Sequence, residues 1–424
     1  MPMLTIEDSA LSPAAGAPTL LTVVASDNRT ARSIGRGRRQ DQSARSAPTL
    51  DYFLHLYSLL AVLVILLHSA GQPRPEEGPR VVIAAWNYVN GVIGVVRMPL
   101  FFFASGYLFM YTNPAGKQLT YPAFIRKKMA RLLLPYFAIS SVAFPIKAYL
   151  GDRALRAVHF TAKDYLVSLV YPARNPIAFF WFIAALFVIF LIAPLIRRIV
   201  LTRGKVLIAV LTAALLVFRW RAGDLLPGIF GIDAAGSFLF YFWVGALAWR
   251  CRARWSEKPM PILAATGIAA VILWYTAARD LPHLRWMAVL PGIYTAYYFM
   301  TVYIRRGWRF LHPLEGKTYP IYLLAWFPQQ FVIVVLYKAL HVNYWLCVLL
   351  TFLGGLCLPL LVARFVAVRL PRLSPLIGLK NPRFERARAS PRHAATTGPV
   401  ATTVTVTIPV MSEPFACSIT GTGQ

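Results

Sequence analysis

The chain has 424 residues, of which 58% are hydrophobic and only 14% charged, with a mean hydropathy of +0.56. A soluble domain is about a quarter charged, and the apolar residues here fall in a series of runs, which excludes an ordinary soluble enzyme and reads as a polytopic membrane protein. The net charge of +28, from 44 Lys+Arg against 16 Asp+Glu, is assigned to cytoplasmic loops and tails beside anionic lipid, and no nucleic-acid partner is expected.

Residues 1–50 are rich in Ala, Ser, Thr, Pro and Arg and read as a disordered basic tail. They hold no apolar stretch adequate for a signal peptide. The first long run, at 52–68, lacks a small-residue cleavage pattern, so the first span is expected to stay in the protein. Ten candidate helices follow, at 52–70, 88–110, 130–149, 177–196, 206–220, 234–250, 260–278, 286–304, 319–338 and 343–364. The fifth is short for a span. YLVSLV at 165–170 is expected to be a re-entrant or interfacial piece. The membrane domain is placed at 51–370, and 371–424 is expected to be a disordered C-terminal tail. The alternation at 395–410 is too short to fold alone.

Loop charges support an even number of spans with both termini cytoplasmic. The inside loops would hold Lys117, Arg126, Lys127, Lys128 and Arg131, then Arg197, Arg198, Arg203 and Lys205, then Arg250, Arg252, Arg254 and Lys258, then Arg305, Arg306, Arg309 and Lys317. The outside loops are nearly balanced, as where Arg74 and Arg80 face Glu76 and Glu77. The fold class expected is therefore an all-α polytopic membrane protein, a bundle of about ten transmembrane helices. Cys251, Cys347, Cys357 and Cys417 have no metal-like spacing and imply no disulfide framework. The seven histidines are scattered, so no metal site is expected.

Polar residues at membrane depth are the candidates for chemistry. His68 ends the run LLAVLVILLH and suits a general base, or an interfacial residue bonded to a neighbour. His55 and Tyr57, near the other end of that helix, fit interface anchors. Arg97 opens RMPLFFFASGYLF, following Asn87 and Asn90, which are possible pocket residues. It could hold an anionic group or polarise a carbonyl, or snorkel to the outer interface. Pro99 is expected to break the helix nearby and free backbone groups. Ser105 and Gly106 allow close helix contact, and Ser105 is a possible pocket hydroxyl. Trp181, after Arg174 and Asn175, reads as an outer-interface ring or pocket wall. Asp233, Glu315 and Lys317 have ordinary loop explanations, and Gln329 and Gln330 need partners if buried.

The segment RMPLFFFASGYLF resembles the R/H-M-P-L-F-F-x-x-S-G stretch of the integral-membrane acyltransferase family 3. An apolar first helix ending in His68 matches too, as does the basic run RKKMARLLLPYF at 126–137. So do Trp181, Phe182 and Leu186, and the segment Thr318 to Leu324. The resemblance spans about residues 50–370. It implies an acyltransferase of the bacterial plasma (inner) membrane. Such a protein would move an acyl group, often acetyl from acetyl-CoA as co-substrate, onto a hydroxyl of a carbohydrate, a lipid-linked glycan or another acceptor. The resemblance makes His68 catalytic and brings Arg126, Lys127, Lys128 and Arg131 toward the CoA phosphates. Arg97 or groups near Pro99 would stabilise the oxyanion. Two positions depart from the family pattern: Tyr57 stands where many relatives have arginine, and Ala325 where many have histidine. A lipid or glycan transporter, and a catalytically impaired relative, are the competing readings.

Overall fold

A computed structural model describes residues 56–69, 80–151, 158–251, 261–278, 280–281, 284–302, 314 and 316–379. The expected N-terminal tail, the expected C-terminal tail from 380 onward, His55, Glu315, Cys417 and several loop cations, such as Arg252, Arg254, Arg305 and Arg309, lie outside the described residues. Among the described residues the chain is helical, with no strand. In chain order the helices are α1 (Leu56–Ser69), α2 (Arg80–Thr112), α3 (Tyr121–Leu150), α4 (Ala162–Val170), α5 (Ala178–Thr202), α6 (Lys205–Leu225), α7 (Ile229–Arg250), α8 (Pro261–Ala277), α9 (Arg285–Val302), α10 (Thr318–Ala339) and α11 (Tyr344–Arg369).

Each of the ten expected segments is helical where it is described. Among the described residues, seven helices are long and apolar enough to cross a membrane: α2, α3, α5, α6, α7, α10 and α11. Helices α1 and α8 are shorter apolar helices over the described residues. Helix α6 is not the short piece expected. It runs for 21 residues because it continues past Trp220 through Arg221 to Leu225. The piece at 165–170 lies inside the nine-residue α4, whose Thr161 cap accepts from the Asp164 amide at 3.1 Å.

The centre is the crossing of α2 and α7, which small residues bring to backbone contact. A Cβ on Gly106 would lie 2.0 Å from the Phe242 carbonyl oxygen, and one on Gly245 would lie 2.0 Å from that of Phe103. Only glycine permits this reciprocal approach. Ser105 and Gly106 are thus a packing feature, and Ser105 Oγ lies 2.9 Å from Tyr57 Oη on α1. Phe102 stacks on Phe238 across the same crossing, with centroids 4.7 Å apart. Offset stacking of this kind adds about 0.5–1.5 kcal/mol beyond area burial.

Helix α2 corrects two expectations. It begins at Arg80 rather than near 88, so Arg97 lies at mid-helix rather than two turns in. It also runs unbroken through Pro99. Proline removes only its own N–H, which leaves the Val95 carbonyl without its usual helical partner. Arg285 Nη2 of α9 takes that carbonyl at 3.0 Å, and Gly94 O at 3.2 Å. The group freed by Pro99 is therefore an acceptor already in use. It cannot donate to an oxyanion, contrary to the expectation for the backbone near it.

Arg197 ties the far end of α2 to α5. Its Nε donates to Asn113 O at 2.9 Å, and its Nη2 to Pro114 O at 2.7 Å and Lys117 O at 2.8 Å. After α11 the chain stays packed beyond the expected boundary at 370. Ile377 joins the core, Gly378 turns at φ 75°, and a Cβ there would meet the Tyr319 ring at 2.3 Å.

Candidate active site

The last turn of α1, the middle of α2, the loop after α4 and the starts of α5 and α7 surround a cavity of about 530 Å³. His68 and Arg97 both line it, together with Trp181, Phe179, Asp233 and Phe238. His68 is half-buried because the apolar run before it packs α1 inward, leaving the polar ring at the helix end. Its imidazole meets the Phe179 ring at 5.5 Å, tilted by 38°. Among the described residues it makes no hydrogen bond, so its ring nitrogens are not committed to a described neighbour.

Arg97 is also half-buried. Its Nε is enclosed, with no hydrogen-bond partner among the described residues. The guanidinium lies within electrostatic range of His68 and of Tyr322 on α10. Tyr322 Oη in turn donates to the Phe179 carbonyl, which holds the start of α5 against α10. A guanidinium with an unpaired buried N–H, facing a cavity, is a donor waiting for an acceptor. That separates Arg97 from Arg197 and Arg250, whose donors cap backbone carbonyls.

Trp181 stands at the first turn of α5, 5.5 Å from Phe238 and 6.5 Å from Phe102 by ring centroid. These rings make one wall apolar. Another part of the rim comes from a tight turn at the very start of α7, in which Phe230 and Gly231 both have left-handed φ, 51° and 68°. A Cβ at Gly231 would meet the Ala185 amide at 3.3 Å, so glycine also allows the turn to lie against α5. This turn delivers Asp233 to the cavity at the N-terminal turn of α7, where the helix dipole favours a carboxylate. The sequence gives Asp233 only an ordinary loop role, and its position after Gly-Ile-Phe-Gly-Ile is the signal that could have found it. Tyr322 carries no such signal, because nothing local links α10 to Arg97.

The other expected site residues lie elsewhere. Asn87 is exposed near the start of α2, and Asn90 has a buried Oδ1 with no partner among the described residues. Neither lines the cavity, and nor does Ser105. Arg126, Lys127 and Arg131 are exposed at the start of α3, while Lys128 lies 3.4 Å above the Phe190 ring. Tyr121, beside them, donates to Leu191 O of α5 at 3.2 Å. Trp181 and Leu191 are ten residues apart on one helix, roughly 15 Å along its axis. The basic stretch therefore packs against the middle of α5, away from the cavity at its start. Between them half-buried rings follow one another: Tyr57 to Phe101 at 5.8 Å, Phe101 to Phe182 at 5.5 Å, Phe182 to Tyr322 at 6.0 Å and Tyr322 to Phe179 at 5.0 Å.

Ala325, at the second departure, is buried in a small cluster that contains Ile65 of α1. Ile65 lies about one turn before His68 on that helix. A family model described as an acyltransferase domain matches residues 56–364, well over half of the chain. No curated protein and no solved structure matches.

Proposed function

The chain belongs to this acyltransferase family, acyltransferase family 3, and on that premise we propose that it transfers an acyl group, acetyl in the first instance, from acyl-CoA to a hydroxyl of a carbohydrate or lipid-linked glycan. The observation that carries the reading is the meeting of His68 and Arg97, from separate helices, in one cavity where Arg97 has an uncommitted buried N–H. His68 removes the acceptor's hydroxyl proton as its oxygen attacks the thioester carbonyl. Arg97 donates to the oxyanion that forms. Collapse of the tetrahedral centre breaks the carbon–sulfur bond, and the imidazolium returns its proton to the departing CoA thiolate. The wall of Trp181, Phe179 and Phe238 suits a sugar face and limits water.

The CoA nucleotide binds farther along α5, on Arg126, Lys127, Lys128 and Arg131, with its phosphates drawn to their charge. The thioester then approaches His68 along the row of rings from Tyr57 to Phe179. In this reading the bundle has ten spans, with both termini on the basic, cytoplasmic side of a bacterial plasma membrane. Asp233 accepts a hydrogen bond from a second hydroxyl of the acceptor and orients it. The test supplies radiolabelled acetyl-CoA and a membrane glycolipid extract to purified protein in nanodiscs. Label is expected in a glycolipid with wild type and not with His68→Ala. Substrate that crosses the membrane unmodified would instead make the protein a transporter.

A further inference from the structure

A second group of cations lies off the cavity, among α2 and α6 to α9. Arg219 of α6 and Arg285 of α9 are half-buried and within electrostatic range of each other and of Tyr241 on α7. Arg219 lies over the Tyr241 ring at 5.1 Å, and Arg285 over the Trp274 ring of α8 at 5.7 Å. These ring contacts satisfy no N–H donor by hydrogen bonding: Arg219 Nε and Nη1 and Arg285 Nε are buried without a partner among the described residues. Tyr241 is only 1% exposed, and its Oη is also buried and unpartnered among them.

Two like charges held together in a low-dielectric setting repel, and each unmade bond carries a desolvation cost. Neither cation can swing away freely. Arg285 is fixed by its bonds to the Val95 and Gly94 carbonyls at the Pro99 gap, and Arg219 by its ring contact. Among the described residues no carboxylate pairs with either. The missing component is an anion with several acceptor oxygens, to match donors arriving from two helices and one phenol. Phosphate fits that description, since guanidinium groups bind it through paired in-plane N–H donors. The direction of approach identifies its carrier. Helix α6 packs on the bundle by one narrow face, and beside Arg219 its residues Val217 and Trp220 are 62% and 49% exposed. If the bundle spans a membrane as proposed above, this exposed face of α6 beside the half-buried Arg219 is the side that meets lipid.

We propose that Arg219 and Arg285, converging on Tyr241, form a binding site for the phosphate of a membrane lipid headgroup. The site is distinct from the cavity of His68 and Arg97 and is adjacent to it. Tyr241 touches Phe238, a cavity wall residue, with ring centroids 6.1 Å apart. The proposal does not depend on acyl transfer.

The experiment uses the purified full-length chain, stripped of lipid in detergent, and follows bound lipid by native mass spectrometry alongside the thermal midpoint. The probes are phosphatidylglycerol, diacylglycerol without phosphate, and inorganic phosphate. Phosphatidylglycerol is expected to stay bound and raise the midpoint, while diacylglycerol and inorganic phosphate do neither at the same concentrations. The double variant Arg219→Gln, Arg285→Gln is expected to bind phosphatidylglycerol about a hundred-fold more weakly, at roughly ten-fold per lost charged contact. Tyr241→Phe keeps the ring and the packing, and is expected to weaken binding up to about ten-fold, so it decides the matter if the double variant does not fold. Arg198→Gln, an exposed charge on α5, is expected to bind like wild type. Equal binding by wild type and Tyr241→Phe together with a folded double variant overturns the site. Equal binding of diacylglycerol reduces it to an apolar surface. Stabilisation by inorganic phosphate as strong as that by the lipid overturns the assignment to a headgroup.

Discussion

His68 and Arg97 reach the cavity from different helices, so their losses can be separated by measurement. For His68→Ala the turnover number is expected to fall about 10²–10⁴-fold, the usual contribution of a general base. Arg97→Lys keeps the charge but loses the planar fork. A fall of about 10²–10³-fold in turnover, with the acyl-CoA KM little changed, is expected if the guanidinium serves the oxyanion. A rise in KM alone would instead make Arg97 a ground-state contact. Asp233→Asn is expected to raise the KM for the acceptor and leave that for acyl-CoA unchanged, because the carboxylate lies at the cavity rim. The two departures from the family pattern also take physical form at this scale. The Tyr57 hydroxyl is bonded to that of Ser105 at 2.9 Å, and Ala325 is buried in the cluster of Ile65, Leu314 and Ile321.

Among the elements, α2 carries most of the design. Its glycine contact with α7 leaves no room for a methyl group, so Gly106→Ala is expected to destabilise by at least the roughly 1–3 kcal/mol typical of overpacking. A thermal midpoint in detergent equal to that of wild type would contradict the backbone contact. The Pro99 gap permits a sharper test. Arg285→Gln removes the donor to Val95 O, whereas Pro99→Ala supplies an N–H that can take that carbonyl. The two changes are expected to be coupled, with the Arg285 substitution costing about 0.5–1.5 kcal/mol less in the Pro99→Ala background. Additive midpoint shifts would mean that Arg285 does not compensate for the proline. The end of α2 depends on Arg197, which gathers the carbonyls of the following loop in one guanidinium fork.

Across the whole molecule, the loop gathered by Arg197 before α3 and the cavity lie toward opposite ends of α5. If the bundle spans the membrane as proposed, they face opposite compartments. Cysteines introduced at Ala115, in the loop gathered by Arg197, and at Ala173, on the cavity rim, report this in a background without native cysteine. An impermeant maleimide added to intact cells is expected to label Ala173→Cys, and to label Ala115→Cys only after permeabilisation. Labelling of both from one side would collapse the two-sided scheme. The same separation requires the thioester to travel, and the aromatic row from Tyr57 to Phe179 is the path the fold provides.

The sequence by itself determined that the chain is helical and apolar, where the helices lie, and to which family it belongs. Those properties follow from hydrophobic runs long enough to bury a helix and from a contiguous motif, both local in the chain. His68, Arg97 and Trp181 were legible for the same reason, since each is a polar or aromatic break at the edge of such a run. Helix ends were less so. Pro99 reads as a break because its effect on its own helix is local, while Arg285, which takes the freed carbonyl, is 190 positions from Val95. Only the tertiary structure decided that Asp233 and Tyr322 join His68 and Arg97, that Asn87, Asn90 and Ser105 stay outside the cavity, and that Arg219 and Arg285 meet on Tyr241. These are juxtapositions of side chains from helices far apart in sequence. They are set by which small residues let the helices approach, and no local pattern of polarity contains that information.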